Sequence, residues 1–412
     1  MKALLSFSVV VISIIFSTTH LAAQELNHLA WLQADNLHFV ATSVGLHGYD
    51  LRNNQHGLRW LVSPDLMFSF GAGVWIGGQV DVGGVRKKCV FRTVDPYYGR
   101  GFATPLTGLD TIREVDRIVA ESELHDGDLS RYVGSREDLE NRGYPLGLSI
   151  RSTVSVFEST SALRNSIVLT YVVTNSHPSR PIHGATAAFV FDPAVGPADN
   201  AMQAAAGDYI QQLSNPHVLV TKIRSQELGD GPFISAAVIP ERGKTTTCRP
   251  LNIFAMPFED GAAYDPITSG IIEDSQAPSD AVLAAAGDTT SLAPGESMTL
   301  HVLVTLSAEN SLENDNYLLY LAEFASSILT SVENDDVTTG LRSVYPSPTN
   351  GADYVFASSS GREEPYRVYD VHGVVRTVTS DASGQLYVGN LTTGVYWLTS
   401  VSGTRGRFVV NR

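Results

Sequence analysis

Two stretches of sequence decide the fold: LSIRSTVSVFES (Leu148 to Ser159) and SIVLTYVVTN (Ser166 to Asn175). Both are rich in Val, Ile, Thr and Tyr, which pack well on a pleated, half-buried surface. Both alternate in part between apolar and polar positions, as strands with one buried face do. They therefore predict two strands of a sheet that covers a core.

Similar stretches follow along the chain, separated by Gly and Pro turns and interrupted by few convincing helices. This pattern predicts an all-β fold with a large β-sandwich domain. The further predicted strands are Ile182 to Pro193, His217 to Ile223, Phe233 to Pro240 and Met298 to Ser307.

The segment FSFGAGVWIGGQVDVGGV (Phe68 to Val85) mixes apolar residues with six glycines. The pair Gly77-Gly78 indicates a hairpin turn, and Gly83-Gly84 indicates a second turn. The glycine spacing is not that of a P-loop, and no Lys-Ser/Thr pair follows. The segment therefore favours a β-meander over a phosphate-binding loop.

Helix signals are few. Ser135 is a good N-cap for a short helix in SREDLENRG, with Glu137 and Asp138 in its first turn. Apolar residues recur at helical spacing in Glu309 to Leu329, which predicts a helix at the end of the large domain. The stretch Leu26 to Phe39 fits either a short helix or an extended lead-in.

Residues 1–23 have the order of a secretory signal peptide: Lys2, an apolar run to Phe16, and small residues ending at Ala23. The apolar run is shorter than the roughly twenty residues that span a bilayer, so we do not expect an integral membrane protein. The formal net charge is −15, which disfavours nucleic acid as a partner. The predicted location is outside the cell.

The remaining chain divides into three parts. We predict a large β-sandwich domain over residues 24–329, an acidic linker over residues 330–343, and a small immunoglobulin-like β-sandwich over residues 344–412. The linker has no apolar periodicity, and the segment YPSP marks the start of the small domain.

The last 69 residues resemble the type A C-terminal sorting domain of the type IX secretion system of Bacteroidota. The resemblance rests on four blocks in order: YPSPTNG, VYDVHG, LTTGVYWL and RFVV. One departure is Ser347, where the family usually has Asn between the two prolines. The matching positions include Tyr345, Pro346, Pro348, Asn350, Gly351, Asp370, Gly373, Gly394 and Tyr396.

This resemblance implies partners and a route. The outer-membrane translocon would recognise the folded end domain, and a sortase-like cysteine protease would remove it at the cell surface. The cargo would then be released or joined to anionic lipopolysaccharide. The large domain also resembles cargo segments that carry phrases like GVWIGG, YVVTN and FDPAVGPADN, a group with no activity to carry over.

A calcium site is one interpretation of FDPAVGPADN. Asp192, Asp199 and Asn200 offer the carboxylate and amide oxygens that Ca²⁺ prefers. The alternative is an ordinary turn, because Pro193 and Pro197 lie in the same run and the spacing fits no standard calcium loop. Asp126 and Asp128 around Gly127 leave the same two alternatives open. No other cofactor is indicated.

Catalytic signals are weak. Glycoside hydrolysis needs two facing carboxylates, and Glu121, Glu123 and Asp126 are the first candidates. The sequence has no GxSxG elbow and no HExxH motif. Tyr97 and Tyr98 in a loop are candidates for stacking on a sugar.

Two cysteines, Cys89 and Cys248, either form a disulfide in an exported protein or remain as separate buried thiols.

Three functions stay open. We favour a non-catalytic secreted or cell-surface protein that binds a glycan, a protein or an envelope component. The alternatives are an extracellular hydrolase of polysaccharide or peptide, and a structural protein of the cell envelope.

Overall fold

The computed structural model describes residues 29–95, 99–132, 134–159, 161, 163–198, 208–215, 217–241, 244–251, 260–275, 282–332, 354–356, 365–370, 375–379, 385–392, 394–400 and 405–410. The fold is all-β, in antiparallel sheets with few helices. The chain separates into a large unit, Met1–Ser159 with Leu163–Ala322, and a small unit, Thr160–Ala162 with Glu323–Arg412.

The larger sheet of the large unit has nine strands, numbered here along the chain. The two stretches that predict the fold are neighbours in it, with Ile150 opposite Val173. In spatial order the strands are β10 (Thr104–Pro105), β12 (Arg117–His125), β13 (Leu148–Phe157), β14 (Ser166–Asn175), β22 (Ser297–Ser307), β18 (Phe233–Pro240), β17 (Leu219–Ser225) and β16 (Asp208–Ser214), with β11 (Asp110–Arg113) also paired to β12.

The second sheet has six strands. It pairs β15 and β6 over most of their length, with bulges that shift the register. In spatial order the strands are β19 (Thr245–Leu251), β20 (Val282–Gly287), β15 (Ile182–Pro197), β6 (Leu66–Val82) and β7 (Val85–Arg92), with β21 (Thr290–Leu292) also paired to β15.

Smaller sheets complete the N-terminal part. The stretch Leu26 to Phe39 fitted either a helix or an extended chain, and its described part, from residue 29, is extended, because β1 and β2 pair antiparallel. The strands are β1 (Leu29–Gln33), β2 (Leu37–Thr42) and β5 (Leu58–Trp60) in one sheet, the pair β3 (Tyr49–Asp50) and β4 (Gln55–His56), and the pair β8 (Val94–Asp95) and β9 (Gly99–Arg100).

The core lies between the two large sheets. Ile150 and Leu169 from the nine-stranded sheet and Val74 and Phe189 from the six-stranded sheet belong to one buried cluster, each with 0% exposed surface. Burying these inner faces provides the main driving force for the large β-sandwich. The prediction of a sandwich is therefore confirmed for the large unit.

The pair Gly77-Gly78 is not a turn, because β6 runs unbroken from Leu66 to Val82. The turn is at Gly83-Gly84, where both φ angles are positive (57° and 79°), as a two-residue hairpin requires. A Cβ on Gly77 would lie 2.9 Å from the Tyr264 ring, and one on Gly78 would lie 2.4 Å from Ile182. These two glycines permit close packing on the two faces of the strand.

Three α-helices are described: α1 (Arg136–Asn141), α2 (Asp260–Ile267) and α3 (Leu312–Val332). The predicted N-cap is confirmed, since Ser135 Oγ accepts from the backbone N–H of Asp138 at 3.1 Å. The predicted long helix is α3, which continues through Val332 into the first three residues of the predicted linker. Residues 333–343 of that linker lie outside the described residues.

Irregular segments cover the sheet edges. The Tyr144 hydroxyl accepts from the Val90 N–H of edge strand β7 at 2.8 Å. On the opposite side, Cys248 of β19 donates its N–H to Ile271 O at 2.8 Å, and Ser275 donates its N–H to Ile210 O of β16 at 2.9 Å. Covered edges cannot pair with another chain.

The described strands of the small unit form two antiparallel sheets. The buried side chains of Tyr366, Val368, Leu386, Val388, Leu391 and Tyr396 form its core cluster. The strands are β25 (Val375–Thr379), β24 (Pro365–Asp370), β27 (Gly394–Ser400) and β28 (Arg405–Val410) in one sheet and β23 (Tyr354–Phe356) with β26 (Gln385–Tyr387) in the other.

Candidate functional site

A cleft of about 520 Å³ lies at one end of the large sandwich. Both sheets contribute to it, through the ends of β18 and β20 and the starts of β21 and β22. Its size is within the range of small-molecule sites. The lining residues are Thr186, Ala187, Pro240, Glu241, Gly287, Asp288, Thr289, Thr290, Ser291, Leu292, Glu296, Ser297, Met298, Thr299 and Leu300.

Gly287 brings the two sheets together beside this cleft. A Cβ at this position would lie 2.7 Å from the Cβ of Pro240, which is closer than real side chains approach. Any other residue would therefore push the end of β20 away from the end of β18. Glycine at 287 is needed for the close approach that shapes this part of the cleft wall.

Two carboxylates of the lining are held by backbone amides, one in strand β22 and one in the turn before it. Glu241 accepts from the Thr299 N–H at 3.2 Å, and Glu296 accepts from the Ala293 N–H at 2.8 Å. The Glu296 contact closes the turn from Ala293 to Glu296, where Gly295 has φ +82°. These contacts fix both carboxylates on the rim of the cleft.

Four further polar side chains of the lining are exposed and have no hydrogen-bond partner among the described residues: Asp288, Thr289, Thr290 and Ser291. The partly exposed side chain of Met298 belongs to the same lining. The lining thus joins hydroxyls that both donate and accept, a carboxylate that accepts strongly, and apolar surface.

Among the described residues that line the cleft there is no His, Cys or Tyr. Nucleophilic catalysis by a Ser or Thr hydroxyl needs an adjacent base, usually His, which the lining does not supply. The arrangement can instead hold a ligand that carries many hydroxyl groups. The sequence interpretation missed this site, and the only signal was the polar run DTTS (Asp288 to Ser291) between two apolar strands.

The candidate calcium residues are only partly described. Asp192 lies inside strand β15, opposite Gly71 of β6, and the run through Pro197 continues this strand. The interpretation of this run as a turn is therefore wrong. Asp199 and Asn200 lie outside the described residues. Within the described ranges, no group of three or more His, Cys, Asp or Glu could hold a metal ion, so calcium stays a prediction.

Of the candidate hydrolase carboxylates, Glu121 and Glu123 share the exposed face of β12, and Asp126 does not join them. Glu121 and Glu123 are exposed on β12, whereas Asp126 is 1% exposed. Asp126 Oδ1 accepts from the N–H groups of Gly147 and Leu148 at 3.2 and 2.8 Å. Burial raises the pKa of Asp126 to about 6, against the opposing effect of these amides. The raised pKa suits a general acid, but this carboxyl has no access to a substrate.

The two cysteines are unpaired and buried. Cys89 and Cys248 are free thiols, 0% and 1% exposed, so the alternative of separate thiols holds. Burial raises the pKa of each thiol to about 12. A thiol in this state is a poor nucleophile at neutral pH.

The remaining predicted residues are distributed as follows. Tyr97 and Tyr98 lie outside the described residues, as do Tyr345, Pro346, Pro348, Asn350, Gly351 and Gly373 of the sorting blocks. Asp370 ends β24, and Gly394 and Tyr396 belong to β27. The Tyr396 hydroxyl donates to Thr392 O at 2.9 Å, so two residues of the block LTTGVYWL are hydrogen-bonded to each other.

No protein-family model and no curated protein sequence matches the chain. Among solved structures, a protein of Synechocystis is similar at 10% identity, with 68% of this chain and 96% of that chain covered and a TM-score of 0.37. A galactose mutarotase related enzyme of Lactobacillus acidophilus is similar at 9% identity, with 69% and 98% covered and a TM-score of 0.30. A polysaccharide lyase is similar at 11% identity, with 82% and 40% covered and a TM-score of 0.29.

Likenesses at these TM-scores carry no functional inference. Among the described helices, none is both long and apolar enough to cross a membrane.

Proposed function

We propose that the chain is an exported protein whose large β-sandwich binds a carbohydrate without cleaving it, at the cleft beside Gly287. The observation that supports this is the lining of the cleft, where the side chains of Asp288, Thr289, Thr290 and Ser291 are exposed and not engaged by the protein.

A sugar ring presents hydroxyl groups that donate and accept at the same time. Ser and Thr hydroxyls can match either role, and Asp288 can accept from a sugar hydroxyl through a charge-assisted hydrogen bond. The partly exposed side chain of Met298 offers apolar surface to the C–H groups of the ring. Three carboxylates are among the described residues that line the cleft, so a neutral sugar fits better than an acidic one.

The lining supports binding without cleavage in two ways. The described residues of the cleft include no His, Cys or Tyr, and Glu241 and Glu296 each accept a hydrogen bond from a backbone amide. The exposed pair Glu121 and Glu123 lies on β12 and does not line the cleft.

Binding is tested with residues 24–412 on an array of neutral and acidic glycans. We expect a neutral glycan to bind, and Asp288→Asn and Thr290→Val each to weaken binding about tenfold, the usual cost of one hydrogen bond to a ligand. Asp110→Asn on β11 is the matched control, because it removes an exposed acid of another strand and should leave binding unchanged. Binding that is indifferent to the two cleft variants would refute the site.

A reducing-end assay on the bound glycan tests the absence of cleavage. We expect no new reducing ends over hours. Turnover that is abolished by Asp288→Asn or Glu241→Gln in the cleft, or by Glu121→Gln or Glu123→Gln on β12, would instead establish a hydrolase.

Export by the type IX system is a proposal that rests on the sorting-domain resemblance. In a Bacteroidota host, removal of residues 344–412 should retain the protein in the periplasm, and transfer of these residues to an exported reporter should carry it to the surface. Normal surface delivery of the shortened chain would refute this route.

A further inference from the structure

Four polar side chains form a row in the core of the large sandwich: His47, Ser122, Ser152 and Tyr171. His47 is fully buried, and its backbone exchanges two hydrogen bonds of 2.8 Å with Ala72 of the six-stranded sheet. The His47 ring reaches the opposite sheet, where Nε2 lies 3.2 Å from Ser152 Oγ on β13.

The tautomer of His47 sets the hydrogen-bond direction in this row. His47 Nδ1 accepts from the Thr42 N–H at 3.3 Å, and burial lowers the pKa of His47 to about 3, so the ring is neutral. A neutral ring that accepts at Nδ1 carries its proton on Nε2. Nε2 therefore donates to Ser152, and the Ser152 hydroxyl keeps its own proton to donate elsewhere.

Two more hydroxyls stand beside Ser152 in the sheet. Ser122 of β12 and Tyr171 of β14 are its direct partners in register, on the face that packs against the core. Side chains paired in this way have Cβ atoms about 5 Å apart. Ser122 is 3% exposed and Tyr171 is 0% exposed.

Neither hydroxyl has a hydrogen-bond partner among the described residues. The centroid of the Tyr171 ring lies 6.2 Å from that of the His47 ring, so the two side chains are neighbours in the core. A buried hydroxyl without any partner lowers the folding equilibrium constant by about tenfold, and buried polar atoms in proteins are almost always satisfied.

We infer that the sandwich core binds ordered water at this row, held by the hydroxyls of Ser122, Ser152 and Tyr171. Water offers two donors and two acceptors, and a buried water usually makes about three hydrogen bonds to polar groups. Ser122 and Tyr171 lie on opposite sides of Ser152, so one water can bridge Ser122 and Ser152 and a second can bridge Ser152 and Tyr171. The row then forms a hydrogen-bonded link between the two sheets through His47.

The test compares the unfolding equilibrium of residues 24–412 with that of three variants. Ser122→Ala and Tyr171→Phe each remove one hydroxyl of the row. Ser235→Ala is the matched control, because the Ser235 hydroxyl donates directly to Thr305 O at 3.3 Å in the same sheet.

If water bridges the row, each of the two variants should lower the ratio of folded to unfolded protein by about five- to tenfold, as the control does. If the row is dry, each variant removes an unsatisfied group, and stability should stay the same or rise. That second result would overturn the inference.

A direct count of water provides an independent readout. The ¹⁷O magnetic relaxation dispersion of the protein reports long-lived internal waters. Its amplitude should fall in the Ser122→Ala/Tyr171→Phe double variant and stay unchanged in Ser235→Ala. An equal amplitude in all three proteins would also overturn the inference.

Discussion

Asp126 offers a quantitative test of how burial controls this fold. The residue is 1% exposed, and its carboxyl accepts from the N–H groups of Gly147 and Leu148, at the start of β13. Asn has nearly the same shape as the protonated acid and never ionises. Asp126→Asn should therefore keep the packing and remove only the titration.

The magnitude follows from the difference in pKa between the two states. The folded pKa is about 6 and the model-peptide value is 3.8, so ionisation is disfavoured in the folded protein. About two units at 1.36 kcal/mol each correspond to about 3 kcal/mol. The stabilising contribution is fully present below pH 3.8, falls as the pH rises, and is lost above about pH 6.

The assay is urea unfolding of residues 24–412 and of the Asp126→Asn variant between pH 3.5 and 7.5, followed by tryptophan fluorescence. The difference in unfolding free energy cancels the titration of all other groups. It should move by about 3 kcal/mol in favour of the variant across this range. Asp110→Asn, an exposed control, should show a flat difference. A flat difference for Asp126→Asn as well would refute the buried, raised-pKa description.

Three further outcomes follow from buried groups. Tyr144→Phe removes the hydroxyl that satisfies the free edge of β7, and should lower the unfolding free energy by about 2 kcal/mol in urea titrations. The ammonium of Lys222 is 1% exposed and lies 2.5 Å from Asp315 Oδ1. Asp315→Ala removes this carboxylate and should lower the unfolding free energy by about 3 kcal/mol, and the double variant with Lys222→Met should recover most of this loss. Cys89 and Cys248 should not react with a thiol reagent in the native protein at pH 7, and two equivalents should react in urea, because burial raises the pKa of both thiols.

Sequence patterns predict helices and strands correctly where the residues that show the pattern also make the contacts that cause the structure. The N-cap at Ser135 is one example, since the capping side chain and the amide that it satisfies are three residues apart. The strands Leu148–Phe157 and Ser166–Asn175 are another, because partial alternation reflects one buried face directly.

The pair Gly77-Gly78 shows where such patterns fail. A glycine pair between apolar runs usually indicates a turn, but here the glycines make room for Tyr264 and Ile182, which are distant in sequence. The same applies to Asp126, whose amide partners lie about twenty residues away. No local pattern records contacts of this kind.

The sequence by itself determined the all-β class, the strands that carry the core, the capped helix and the turn at Gly83-Gly84, because neighbouring residues produce these features. Only the tertiary structure decided that Asp126 is sealed, that the two cysteines stay apart, that Asp288 to Ser291 line a cleft, and that His47 meets Ser152. Each of these depends on which distant strands become neighbours, and burial then sets the charge, access and hydrogen-bond partners of the side chains.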